Sequence, residues 1–195
     1  MRRTAIAAVT AMIASMIVWA PAAEAAKCPP ATVGGKTVAN VNVNGKVTPL
    51  KSITYRRGGP LDPPHTNKAG GLSRRNAPLH AKRGATVITW HVRYGPGCNG
   101  TLNALTKMPM GSTFTVGAVG KDHQTYKLVR RETVKKGVIK KRWFDPNGPH
   151  RLVLITCNDL QGNYFAKTMA MVAVPVKDAP TTSTTSTASG SSVSS

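Results

Sequence analysis

Two residues in this chain combine a reactive side chain with a position that could make use of it. Cys157 follows the apolar run Leu152-Val153-Leu154-Ile155-Thr156, and His91 follows Ala85-Thr86-Val87-Ile88-Thr89-Trp90. A thiol is a nucleophile only as the thiolate, which needs a base or a cation beside it. An imidazole can take that proton and later return it to a leaving group. Taken alone, Cys157 reads as a buried cysteine acting as a small hydrophobe. Paired with His91 it reads as a nucleophile, because two strand ends can lie side by side in a closed sheet whatever their separation in sequence. The other histidines are weaker partners. His65, His80 and His150 sit among prolines and arginines, and His123 sits in the turn Gly120-Lys121-Asp122.

The compartment decides how the cysteines are read. Met1-Arg2-Arg3, the apolar run Thr4 to Ala20, and Ala23-Glu24-Ala25 have the order of a secretory signal (1–25), with a cut expected after Ala25. The run is near the lower length for spanning a bilayer, so an uncut anchor is the alternative. Lys27 before Cys28 argues against a lipoprotein. In an exported chain, three cysteines make an odd count. Cys28 and Cys98 lie in Pro- and Gly-rich stretches, so the expected bridge is Cys28–Cys98, although sequence does not fix whether their Cα atoms approach. Cys157 is then the free thiol.

Charge narrows the partners without choosing one. The chain carries +20, and losing Arg2, Arg3 and Glu24 takes it to +19. Such a field gathers nucleic acid, anionic lipid or acidic wall polymers, or simply keeps a protein soluble. Lys135-Lys136 and Lys140-Lys141-Arg142 form the densest patch. No aromatics interleave there to stack bases, which argues against nucleic acid.

The elements that must position the pair are mostly strands. Thr37 to Val43 alternates, and Asn44-Gly45 signals a hairpin into Lys46 to Leu50. Arg56 to Leu79 is a long irregular stretch of the kind that is functional or mobile. Ala85 to Trp90 is a strand, and Leu102 to Met108 suits a helical turn. Thr113 to Val119, Thr125 to Glu132, Leu152 to Thr156 and Met169 to Val176 complete the set. The expected fold is all-β: a closed barrel of seven to eight strands with short helical turns and long loops. The barrel domain is expected over 37–177, after an N-terminal segment at 26–36. From Asp178 the Ser/Thr-rich tail (178–195) has too few apolar residues to order itself.

Leu154-Ile155-Thr156-Cys157 resembles the signature of sortases, in which a strand ending Leu-x-Thr-Cys presents the nucleophile. Thr86-Val87-Ile88-Thr89-Trp90-His91-Val92 is similar to the sortase strand that ends in the catalytic histidine. Leu105, Met108, Gly111, Phe114 and Val116 resemble the family's short helix, turn and following strand. Gly59-Pro60-Leu61-Asp62-Pro63-Pro64 is similar to the loop before the histidine strand in actinobacterial sortases of the class E/F kind. Tyr164 and Met169 to Val176 fit the final strand. These pieces run in family order from Val38 to Val176. Three positions depart from the pattern. No arginine follows Arg151, where the family places one near the cysteine; Trp90 stands in place of a glycine; and Val153 stands in place of a threonine.

The resemblance implies a cysteine transpeptidase that uses neither cofactor nor metal. Cys157 would attack a C-terminal sorting signal of exported proteins, forming a thioester. His91 would shuttle the proton, and a cell-wall amine or water would resolve the intermediate. Lys167, the one basic residue between Cys157 and the final strand, would stand in for the arginine. Thr156 and Trp90 would contact substrate. The alternative is a catalytically silent relative that binds anionic wall polymers or surface proteins through the Lys135 to Arg142 segment.

Overall fold

The computed structural model describes Cys28, residues 36–55 and residues 61–176. The expected signal, nearly all of the segment 26–36, the loop residues 56–60 and the tail lie outside the described residues.

Alternating residues build the first hairpin. β1 (Thr37–Val43) buries Ala39, Val41 and Val43, and joins β2 (Lys46–Ile53) through Asn44-Gly45. Both turn residues have positive φ, 50° and 82°, which suits Asn-Gly in a two-residue turn. β3 (Gly70–Ser73), β4 (Ala85–Trp90), α1 (Asn103–Lys107), β5 (Thr113–Ala118), β6 (Gln124–Lys135), β7 (Arg151–Gln161) and β8 (Tyr164–Pro175) follow. The eight strands close into a barrel, as the sequence leads one to expect, and their order is β1-β2-β3-β4-β7-β8-β6-β5.

β3, β7 and β8 differ most from expectation. β3 lies within the stretch read as irregular. Its Gly-Gly-Leu-Ser sequence has no β-branched residue to signal a strand, yet the glycines are what allow it. A Cβ at Gly70 would lie 2.7 Å from Leu50 Cδ2, and one at Gly71 would lie 2.8 Å from Ile53 Cδ1. β7 does not stop at Thr156 but runs through Cys157 to Gln161, while β8 begins at Tyr164 rather than Met169. These extensions are half-buried or exposed and mix polar with apolar residues, and they hold one another, with Asn158 opposite Lys167 and Leu160 opposite Phe165. Without a buried face on every second residue they carry no regular alternation to read.

Burial divides between two clusters. Leu50, Ile88, Trp90, Tyr126, Leu154 and Met171 fill the barrel interior. Ala85, Val87, Val153, Ile155, Ala170 and Trp143 form a second cluster. Successive side chains on a strand point to opposite faces, so β4 and β7 are buried on both. That explains their near-continuous apolar sequences.

Trp143 belongs to a 3-10 turn, Lys141–Trp143, between β6 and β7, and is fully buried. Its indole Nε1 donates to Glu132 Oε1 at 2.5 Å. Lys140 Nζ donates to Glu132 Oε2 at 2.7 Å, and Arg142 pairs with the same oxygen. Burial acts to raise the Glu132 carboxyl, but the bonds from Lys140, Trp143 and Arg142 outweigh it and hold the group at about 2. A carboxylate lowered from 4.5 stabilises the fold above that ordinary value and loses the contribution as pH falls towards 2. Glu132→Gln should therefore cost on the order of 2 kcal/mol at neutral pH. In denaturant titrations, the difference from the parent protein should shrink as pH drops from 4.5 to 2.

Candidate active site

β4 and β7 run parallel and in register, with Val87 opposite Val153 and Trp90 opposite Thr156. At the end of this ladder the buried Thr156 hydroxyl donates to the Trp90 carbonyl at 2.8 Å. The next residues along the chain are His91, just past the end of β4, and Cys157, within β7. The odd-numbered neighbours Val87, Val153 and Ile155 belong to the outer cluster, so Cys157 continues that face rather than the interior.

The cation beside the thiol is Lys136, which the sequence reading missed. β6 pairs with β8 so that Lys135 faces Lys167, and the backbone NH of Lys136 donates to Ala166 at 2.9 Å. From there Lys136 Nζ reaches Cys157 Sγ at 3.6 Å and lies 5.9 Å from the Phe165 ring centre. Its charge is also felt at His91. Lys167 does not occupy this position. Its ammonium pairs with Asp159 at 2.9 Å. Strand alternation accounts for the difference, because Lys136 and Lys167 sit at neighbouring ladder positions and project to opposite faces.

The two expected substrate contacts also lie elsewhere. Trp90 is a core residue, 2 % exposed, among the interior side chains. Thr156 is 4 % exposed and is spent on the clamp to β4. Both precede the outward-facing site residues by one position, and so point inward.

His91 has a dense surround. Burial pushes its imidazole below the ordinary value, and His65 and Lys136 push the same way, while Asp62 opposes them. It is therefore neutral at pH 7. Its Nε2 is buried with no hydrogen-bond partner among the described residues. Tyr94 packs on the ring at 5.1 Å between centres, and also meets His65 at 6.4 Å. The carbonyl of His91 approaches Gly100 so closely that a Cβ there would collide with it. Asn103 Nδ2 and the Gly100 NH both donate to the Val92 carbonyl, at 2.6 and 2.8 Å.

A disulfide joins Cys28 to Cys98, and the Cys98 carbonyl accepts from the Tyr94 NH at 2.9 Å. The bridge thus secures the loop that carries Tyr94. Of the other histidines, His150 is buried and meets the Tyr126 hydroxyl at 3.0 Å, away from the thiol. Among the described residues, no three His, Cys, Asp or Glu side chains are grouped to hold a metal ion.

Lys136, Tyr94, His65 and Asp62 are the neighbours that sequence reasoning did not assign. Lys136 stands in the basic patch, His65 among the weaker histidines and Asp62 in the loop before the histidine strand, whereas Tyr94 left no signal. Together the groups offer a nucleophile, a neutral base and a cation at the end of the β4–β7 ladder.

No family model and no curated protein matches the sequence. Solved structures do match the fold. Sortase A from Corynebacterium diphtheriae is 18% identical, with a TM-score of 0.58 over 75% of this chain and 64% of its own. The Group B Streptococcus Pilus Island 1 sortase C2 is 18% identical, with a TM-score of 0.56 over 72% of this chain and 74% of its own. Sortase C-1 from Actinomyces oris is 17% identical, with a TM-score of 0.56 over 73% and 75% respectively. The barrel therefore has the sortase fold, and the chain spans less than two thirds of the corynebacterial enzyme's length.

Removing the Lys136 charge should raise the His91 pKa towards its ordinary value, because that charge helps depress it. Histidine NMR titrations of Lys136→Ala should show the rise, and Lys167→Ala should leave the resonance where it is.

Proposed function

We propose that this chain is a sortase-type cysteine transpeptidase acting on exported proteins. The observation that carries the reading is the adjacency of His91 and Cys157 at the end of the β4–β7 ladder, with Lys136 on the thiol. The sortase fold of the neighbours supports the same class of reaction.

In this reading His91, neutral at rest, accepts the Cys157 proton, and Lys136 holds the resulting thiolate. The sulfur attacks the backbone carbonyl of a sorting signal of the Leu-Pro-x-Thr-Gly kind. Negative charge passes from sulfur to the carbonyl oxygen, and Lys136 is close enough to follow it. The imidazolium protonates the departing amine as the C–N bond breaks, leaving a thioester. An incoming cell-wall amine gives its proton to His91 as it attacks, and the thiol is released. Lysine supplies charge without the planar fork of arginine, so it can stabilise an oxyanion but not also clamp a second carbonyl in a fixed plane. Export to the cell envelope is supported by the order of residues 1–25.

The silent wall-binding alternative draws less support from the geometry. Two of the five cations in its proposed surface, Lys140 and Arg142, are already paired with Glu132. Trp90, one of the three departures from the family pattern, lies inside the barrel.

With a sorting-signal peptide and an amine acceptor, Cys157→Ala should abolish turnover and His91→Ala should lower it by about 10²–10⁴-fold. Lys136→Ala should cost about 10²-fold in kcat, with Lys136→Arg recovering much of it. Lys167→Ala should match the parent. Equal loss in the two lysine variants would remove Lys136 from its assigned role.

A further inference from the structure

The barrel end that carries Cys157 has a surface the transpeptidase reading does not use. β6 leaves the barrel at Lys135 and turns at Gly137, whose φ is 82°, with the Val138 NH donating to the Lys135 carbonyl at 3.1 Å. The turn presents Val138 and Ile139, 43% and 46% exposed. Beside it runs the β7–β8 hairpin, since Lys135 faces Lys167 across the β6–β8 ladder. That hairpin presents Leu160 and Tyr164, 43% and 62% exposed. Four exposed apolar or aromatic side chains thus lie on this turn and on the hairpin beside it, with Leu160 and Tyr164 on opposite faces of the hairpin.

The charge around them is mostly positive, and Asp159 beside Leu160 is paired with Lys167. Residues 135–142 read Lys-Lys-Gly-Val-Ile-Lys-Lys-Arg, with five cations and no acid between Glu132 and Asp145. Glu132 takes part of the charge of Lys140 and Arg142, and Lys135 and Lys141 stay exposed. An anionic polymer would engage the cations and gain nothing from Val138 and Ile139. An anionic bilayer surface takes both, with aliphatic side chains entering the interface, tyrosine at headgroup level and lysines extending to the phosphates. We propose that this end of the barrel docks on anionic phospholipid through Val138, Ile139, Leu160 and Tyr164, which turns the Cys157 site towards the membrane. The docking does not depend on turnover at Cys157.

The test uses the full chain carrying Cys157→Ser, with a single environment-sensitive fluorophore at Ile139→Cys, Tyr164→Cys or Val119→Cys. Val119 is exposed, and its neighbour Ala118 lines a cavity with Ser73 and His80, away from Cys157. Because the probes report which end touches lipid, the apolar run at Thr4 to Ala20 cannot mimic the result. On adding phosphatidylglycerol–phosphatidylcholine vesicles, the labels at 139 and 164 should shift to an apolar signal while the label at 119 stays aqueous. Lys135→Gln with Lys141→Gln should raise the lipid concentration needed by at least about tenfold. A label at 139 that stays aqueous would overturn the proposal. So would equal shifts at 119, or equal shifts with pure phosphatidylcholine. Polyphosphate binding through the same lysines, with 139 still aqueous on vesicles, would assign the surface to a polymer and end the membrane proposal.

Discussion

The hydrogen bond from the Thr156 hydroxyl to the Trp90 carbonyl fixes the end of the parallel β4–β7 ladder, and the candidate site follows from that register. A shift of one residue in either strand would send His91 or Cys157 to the other face. The register is over-determined from both sides. Ile88, Trp90, Leu152 and Leu154 lock into the interior, and Val87, Val153 and Ile155 lock into the outer cluster. A slip would put the wrong side chains into both. The thiol and the imidazole are thus positioned by packing along two strands rather than by a bond between them.

The outer cluster needs its own cover, and Glu132 provides the anchor. One carboxylate gathers Lys140, Arg142 and the Trp143 indole, and this draws the β6–β7 connection over Val153 and Ile155. The same connection starts at Lys136, so the segment that seals the cluster also delivers the cation to Cys157. On the other flank the Cys28–Cys98 bridge and Gly100 hold the loop that lays Tyr94 on His91. Two independent fastenings therefore bracket the site, one ionic and one covalent.

What could be read in the sequence divides along physical lines. The barrel was legible because apolar alternation and the Asn44-Gly45 turn are local signals, as were the runs leading to His91 and Cys157. β3 was not, because its glycines answer to Leu50 and Ile53, residues about twenty positions away. The cation was misplaced for a similar reason. Lys167 is nearer Cys157 in sequence, but which lysine reaches the sulfur depends on β6 pairing with β8 and on the face each residue takes. The resemblance implies substrate contacts at Trp90 and Thr156, whereas strand alternation turns both inward. In each case neighbours across the sheet, rather than along the chain, decide where the side chain goes.

The most direct measurement of the central claim is to trap the acyl-enzyme. Folded protein would be mixed with a library of Leu-x-x-Thr-Gly-like peptides, without and then with an amine acceptor, and followed by intact-mass spectrometry beside Cys157→Ala. The account predicts a mass increase equal to the N-terminal peptide fragment, mapped to Cys157, discharged on adding amine and absent from the variant. Folded protein that gives neither adduct nor product across the library would contradict it.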